Sequence, residues 1–360
     1  MFAWGGGLHV LKIHSGAGIE AYIVKQFVNN KIQVNLEAML TEIGQDITRA
    51  AELLSRGELV AIPTETVYGL AANGLDDEAV LKIYEAKQRP RFNPLILHVP
   101  GIEKLAEYAL EVPDLCYRLA EAFSPGPVTF LLPKRPMVPD LVTAGSDHVA
   151  LRIPAHPMAL ELLRQIGLPL AAPSANPFGY VSPVTAQHVL DGLNGRIPYI
   201  LDGGPCTVGL ESTIVGCSDG ELVIHRVGGV SKEDIERVTG REARLSLSHN
   251  KPKTPGQLKS HYAPNVPLWV GSVDALRQVH HGKKMALISF TKKYMAPEPA
   301  YSFILSPTGD LHEAARNLFS VMRQIDGLEV DIILAERFPE AGLGRAINDR
   351  LQRAQVVHKS

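Results

Sequence analysis

The chain has 360 residues, 45% of them hydrophobic and 21% charged, with a net charge of −2. That composition excludes a disordered chain, and no apolar run is long enough for a transmembrane helix. A generally polycationic nucleic-acid binder is also excluded, although 36 Lys and Arg leave room for a local basic cleft.

The length favours two domains. Cys116, Cys206 and Cys217 form no CxxC pair, so neither a zinc knuckle nor a disulfide framework is supported, and a cytoplasmic protein is expected. Residues 1–38 open with "MFAWGGGLHVLKIH", where a glycine run replaces the apolar core of a secretion signal. Gly16-x-Gly18-x-x-Ala21 superficially fits a dinucleotide fingerprint, but no convincing βαβ unit with a second strand follows. The globular part is therefore expected to begin near Met39, with residues 1–38 an extension or an over-long gene start.

A helix is predicted from Asp46, its N-cap, to Gly57, followed by the buried strand "LVAIP" and the hydroxyl-rich loop "TETVYGLAANG". Asp76 and Asp77 open the next helix. Val80, Ile83 and Tyr84 form its apolar stripe, and the next position on that stripe is Lys87. Short apolar strands then alternate with helices to about residue 240, which predicts an α/β or mixed α+β domain over 39–240. Its loops "RPRFNP", "SPGPV", "PSANPFG" and "DGGP" fix non-helical backbone at strand ends, as a preorganised small-molecule site requires. The polar, basic stretch 241–266 reads as a linker. From 267 to 360 the alternation resumes and predicts a smaller parallel α/β domain of Rossmann-like character. One of its helices carries Leu311, Ala315, Leu318, Met322 and Ile325 on one face.

The chain has no HExxH, no Cys/His cluster, no G-x-S-x-G and no P-loop. No protein-held metal is therefore expected, and phosphates would have to be held by cations, hydroxyls and loop N–H groups. Candidates recur along the chain. Thr64 and Thr66 end a strand, where they also suit turn capping. Lys87, Arg89, Arg91 and Asn93 follow one another around a helix end, where cations also complement the dipole. His98 points away from Leu95, Leu97 and Val99, and Arg152 points away from Val149, Leu151 and Ile153. Ser174 and Asn176 share one side of a proline-stiffened segment. Ser212, Thr213 and Arg226 come later. Together these describe a cleft of cations and hydroxyls, suited to phosphate chemistry with Mg2+ carried in on a nucleotide, and equally to an RNA backbone. The residues leave a nucleotide transferase and a nucleic-acid module both open.

The ordered run "IPTETVYGL…KIYEAKQRPRFNPLILHV…PGPVTF…VALRIPAHP…APSANPFG…DGG…ESTIV…RVGG" resembles the YrdC-like threonylcarbamoyl-AMP synthases over roughly residues 46–240. Lys87-x-Arg89 and Ser174-x-Asn176 correspond to that family's signature, and "TPGQLKSHYAP" with "GLGRAINDRLQRA" is similar to its two-domain form. The resemblance implies a twisted mixed sheet with a concave cleft. It also implies synthesis of threonylcarbamoyl-AMP from L-threonine, bicarbonate and ATP with release of pyrophosphate. Partner proteins would transfer the product to tRNA next to the anticodon, and this chain would make at most weak contact with RNA. Thr66, His98, Arg152, Ala172 and Ser212 would surround threonine, with Arg152 on its carboxylate. Lys87, Arg89, Asn93, Ser174, Asn176, Ser182 and Arg226 would hold ATP, with His148 nearby. Lys87 and Arg89 would be catalytic. In the linker, Lys259, His261 and Tyr262 are expected to fold over the nucleotide as a lid. No organic cofactor is implied.

Overall fold

A computed structural model describes residues 9–14, 20–28, 31–38, 40–218, 220–246, 261–292, 294 and 301–355. Its strands in chain order are β1 (His9–His14), β2 (Glu20–Val28), β3 (Lys31–Ala38), β4 (Glu42–Gly44), β5 (Val60–Ile62), β6 (Gly69–Asn73), β7 (Ile96–His98), β8 (Val128–Pro133) and β9 (His148–Arg152). They continue as β10 (Leu170–Ala171), β11 (Tyr199–Leu201), β12 (Thr213–Ser218), β13 (Glu221–Arg226), β14 (Ala243–Leu245), β15 (Leu268–Val270), β16 (Met285–Ser289), β17 (Tyr301–Ile304) and β18 (Ile332–Ala335).

β1, β2 and β3 form a separate antiparallel sheet. β1 is followed in the chain by its antiparallel neighbour β2, which is not the start of a βαβ unit, and Gly16 and Gly18 of the fingerprint lie outside the described residues. The domain proper starts at Thr41, whose buried hydroxyl donates to the Ile197 carbonyl. Strands β4 to β14 form one mixed sheet in the order β14-β13-β12-β8-β9-β7-β10-β6-β5-β11-β4.

Cross-strand register gives this sheet two distinct faces, because residues opposite one another on neighbouring strands point the same way. One row runs Ile224–Val215–Phe130–Leu151–Leu97–Ala171–Ala72. It faces the main core, where Val80 and Ile83 of the helix Asp77–Lys87, Leu119 of Asp114–Phe123 and Val189 of Ala186–Leu193 pack. The neighbouring row, Arg226–Ile214–Thr129–Arg152–His98, faces the opposite side. Beside it lies a small apolar patch of Ile96, Leu131, Ala150 and Ile214.

The second domain is a parallel sheet in the order β15-β18-β16-β17. The predicted helix spans Leu311–Asp326, with Ala315, Leu318, Met322 and Ile325 fully buried. One boundary differs from expectation: Ala243–Leu245, expected at the start of the linker, pairs with Leu222–Ile224 as an edge strand of the large sheet. Tyr262 joins the apolar core that both domains share and stacks on Phe319, with ring centroids 5.6 Å apart. The two domains are thereby docked through the end of the linker.

Candidate active site

The sheet face that turns away from the core carries the site. Thr64, Val67, Gly69, Arg89, Ile96, His98, Arg152, Ala172, Pro173, Ser174, Glu211, Arg226, His261 and Tyr262 line one pocket. Gly69 makes a close approach there, since a Cβ on it would lie 3.2 Å from the Ala172 Cβ, a tight contact. The same spacing lets the Leu70 N–H donate to the Pro173 carbonyl at 2.7 Å and fixes the "APSAN" segment beside β6.

Lys87 and Arg89 owe their directions to a helix end. Gln88 adopts φ +53°, the left-handed region that non-glycine residues enter at a cost, and the Arg89 N–H donates back to the Tyr84 carbonyl. Lys87 is 1% exposed, and its Nζ donates to the Ser174 and Asn176 carbonyls. It thus clamps the Ser-Ala-Asn segment and is not itself among the residues that line the pocket. Burial first, and then Arg89 and Arg323, push its ammonium well below the usual lysine range. Arg89 lines the pocket and donates to the Asn93 and Pro94 carbonyls. Burial lowers its guanidinium to about 10. Arg226 donates to the Ser212 carbonyl at 2.8 Å and to its hydroxyl at 3.0 Å, and burial lowers it also to about 10.

Several buried polar atoms here have no partner among the described residues: both side-chain amide atoms of Asn93, Nδ1 of His98, Nε of Arg152, Oδ1 of Asn176 and Nδ1 of His261. Buried polar groups are normally satisfied, so those that also line the pocket, on His98, Arg152 and His261, are candidates to bond a ligand. His98 is held neutral, its pKa lowered to about 3 by burial and by Arg152. Arg152 is aimed by Glu65, whose Oε1 accepts from its Nη2 at 2.6 Å while Oε2 accepts from the Ala155 N–H at 2.9 Å.

Not every expected residue reaches the pocket lining. Thr66 is fully buried, with its hydroxyl 2.8 Å from that of Thr64, and it is Thr64 that lines the pocket. Ser212 lies behind the wall, bonded to Thr129 and Arg226. Ser182 donates to Glu211 at 2.6 Å. His148 is not brought in: it sits four residues from Arg152 along extended β9, half-exposed and 2.6 Å from Asp147. In the linker, His261 and Tyr262 are buried over the pocket, whereas Lys259 lies outside the described residues. Glu65, Glu211 and Arg350 escape sequence reasoning, although each lies inside a stretch quoted above. Their signal was a charge amid apolar or hydroxyl neighbours, which reads as solvated surface until the partner is seen.

The first domain matches a family model described as "Telomere recombination" over residues 52–228, and the second matches "Threonylcarbamoyl-AMP synthase, C-terminal domain" over 230–355. Threonylcarbamoyl-AMP synthase of Bacillus subtilis is 42% identical over 319 residues, covering 86% of this chain and 92% of the relative. That of Pyrococcus abyssi is 43% identical over 321 residues, with 85% and 92% covered. The structure of P. abyssi Sua5 complexed with L-threonine superposes with a TM-score of 0.80 at 40% identity, covering 88% of this chain and 97% of that one. A P. abyssi Sua5 in which adjacent His and Tyr residues are replaced by alanine superposes equally well, at 0.80 and 39% identity, covering 88% and 96%. The chain is an enzyme of the threonylcarbamoyl-AMP synthase family, in its two-domain form.

Proposed function

We propose that this pocket condenses L-threonine, bicarbonate and ATP to threonylcarbamoyl-AMP with release of pyrophosphate. The product would donate the threonylcarbamoyl group to adenosine next to the tRNA anticodon, through separate transferase proteins. One observation carries the reading. Arg89, Arg152 and Arg226 line one pocket at less than 9% exposure with Glu211 as the carboxylate among the lining residues, and Lys87 and Arg350 are buried against Ser174 and Glu211 of its wall. A surplus of buried cations is costly, and polyanionic substrates offset that cost.

Threonine is assigned to the part of the pocket that holds Thr64, His98, Arg152 and Ala172, with Thr66 and Ser212 supporting from behind. Arg152 presents Nε, a buried donor that Glu65 does not engage, to the carboxylate. Neutral His98 accepts or donates at Nδ1 without adding charge. The neutral amine attacks CO2, giving up one proton, or bicarbonate, with water leaving, to form the carbamate. A carbamate oxygen then attacks the α-phosphorus, and the bond from that phosphorus to the bridging oxygen breaks as pyrophosphate leaves. Arg89 and Arg226 balance the charge that grows on the phosphates. Lys87 holds Ser174 and Asn176 in place, and Asn93 presents an amide with both donor and acceptor uncommitted. His261 and Tyr262 close over the reactants, which protects a carbamate that water would destroy. Mg2+ is assigned to the nucleotide, as part of the substrate. Glu65 and Glu211 are each engaged by an arginine and do not suit a protein-held ion.

The test is pyrophosphate release from ATP with threonine and bicarbonate supplied or withheld. The reading expects release only when both are present. Release indifferent to either, or no release, overturns it.

A further inference from the structure

The second domain reaches the back of the pocket wall of the first through Arg350, which bonds the lining residue Glu211. Arg350, on the helix Gly344–Ala354, is 0% exposed. Its Nε donates to Oε2 of Glu211 at 2.8 Å, and its Nη2 donates to the Val227 carbonyl, next in the chain to Arg226, at 3.0 Å. Its guanidinium lies 5.2 Å from the centre of the Tyr262 ring, and Asp349 accepts from its Nη1 at 2.7 Å. The docking is tight elsewhere too. At Gly209, φ +77°, any Cβ would lie 2.4 Å from the Arg316 Cα, so the two backbones touch.

Glu211 poses a problem that Arg350 answers. It is a carboxylate in the wall of a pocket read above as a polyphosphate site, bonded to Ser182 on one oxygen and Arg350 on the other. A bare carboxylate there would repel a triphosphate in a medium of low dielectric, where charges act strongly. Burial favours the neutral acid, yet Arg350 and Arg226 outweigh it and keep Glu211 ionised.

We propose that Arg350 is a positioning residue through which the second domain makes the nucleotide site competent: it neutralises Glu211, so that the wall keeps a positive potential toward ATP, and it seats Tyr262 over the pocket. The inference rests on the reading of the pocket as an ATP site. It accounts for the role of the second domain without assigning that domain any chemistry of its own.

The experiment measures ATP and adenosine binding by calorimetry, together with the KM for ATP and for threonine, in the full chain and in Arg350→Gln, Arg350→Lys and Arg350→Gln/Glu211→Gln. Arg350→Gln is expected to weaken ATP about tenfold or more and uncharged adenosine by less than about threefold, with the threonine KM moved less than the ATP KM. The double variant, which removes the exposed carboxylate as well, is expected to recover most of that loss. Equal weakening of ATP and adenosine, unchanged ATP binding, or a double variant no better than Arg350→Gln with both folded by thermal unfolding, overturns the proposal. Where Arg350→Gln does not fold, Arg350→Lys decides: it retains the charge, so ATP binding within about threefold of the parent supports the proposal and a tenfold loss overturns it. Failure of the parent reading appears separately, as an unmodified chain that releases no pyrophosphate.

Discussion

The two faces of the central strands are alike in burial but differ in polarity and in how far their polar atoms are paired. Leu97, Leu151 and Phe130 face the core and are fully buried; His98, Arg152 and Thr129, one residue along on the same strands, are buried almost as completely. What separates the faces is satisfaction. The core row is closed by side chains packing on one another, whereas the pocket row leaves Nδ1 of His98 and Nε of Arg152 without partners among the described residues. Burial alone does not identify a site. Buried polar atoms left unpaired in the lining of a pocket are the stronger pointer, because a ligand there can remove their cost.

Substitutions on the two faces should therefore fail in different ways. On the pocket side, Arg89→Ala is expected to reduce pyrophosphate release by about a hundredfold to a thousandfold, as loss of one preorganised donor does, while the unfolding midpoint stays near the parent's. Lys87→Ala should cost as much by a different route, since it frees the Ser174–Asn176 segment. Adding methylamine should not restore activity unless the ammonium also touches the reacting phosphates. On the core side, Phe130→Ala should cost about 3–5 kcal/mol of stability in denaturant unfolding. The fraction still folded should release pyrophosphate at close to the normal rate. An Arg89→Ala protein that unfolds early, or a folded Phe130→Ala protein that is inactive, would break the distinction between the faces.

Much of this division was legible in the sequence, and the reason is period. Alternation along 95–99 and 149–153 assigns Leu97 and Leu151 to one face and His98 and Arg152 to the other without any knowledge of neighbours. The break in the helix stripe at Lys87 was visible for the same reason. Its target was not, because the carbonyls of Ser174 and Asn176 lie 87 and 89 residues away. Glu65, Glu211 and Arg350 were missed on the same ground: ion pairs spanning 87 residues, to Arg152, and 139 residues, between Glu211 and Arg350, leave no local pattern at either end. The strand Ala243–Leu245 was read as linker because three residues, of which Ala243 alone is buried, are too short a run to signal an edge strand.

Glu65 gives a finer cut within the pocket side. Its two oxygens hold Arg152 and the Ala155 N–H, and both members of the ion pair are less than 9% exposed. Glu65→Gln keeps the shape and removes the charge. Breaking one half of such a pair costs about 3–5 kcal/mol, some of it in stability. The remainder should appear as a threonine KM raised about tenfold with the ATP KM nearly unchanged. If both KM values rise together, Glu65 supports the whole cleft and does not aim Arg152 in particular.

The smallest effect asks whether a displaced pKa marks the site at all. Burial lowers His98 and His261 to about 3 and His188 to about 4, and only the first two belong to the pocket. Each folded-state value lies below the unfolded value near 6.5, so the unfolded chain binds more protons as pH falls. Stability is then fully present above about pH 6.5 and declines toward pH 4, by up to about 1.4 kcal/mol per pH unit for each histidine. Urea unfolding at several pH values measures the slope, and His188→Gln should reduce it by one proton, as His98→Gln should. The two substitutions should part company in threonine binding. His188 accepts from the Val184 N–H at Nδ1 and takes no part in the pocket, whereas Nδ1 of His98 has no partner among the described residues. Equal pH slopes with threonine binding lost only in His98→Gln would show that the acid sensitivity belongs to burial and the specificity to the unpaired nitrogen.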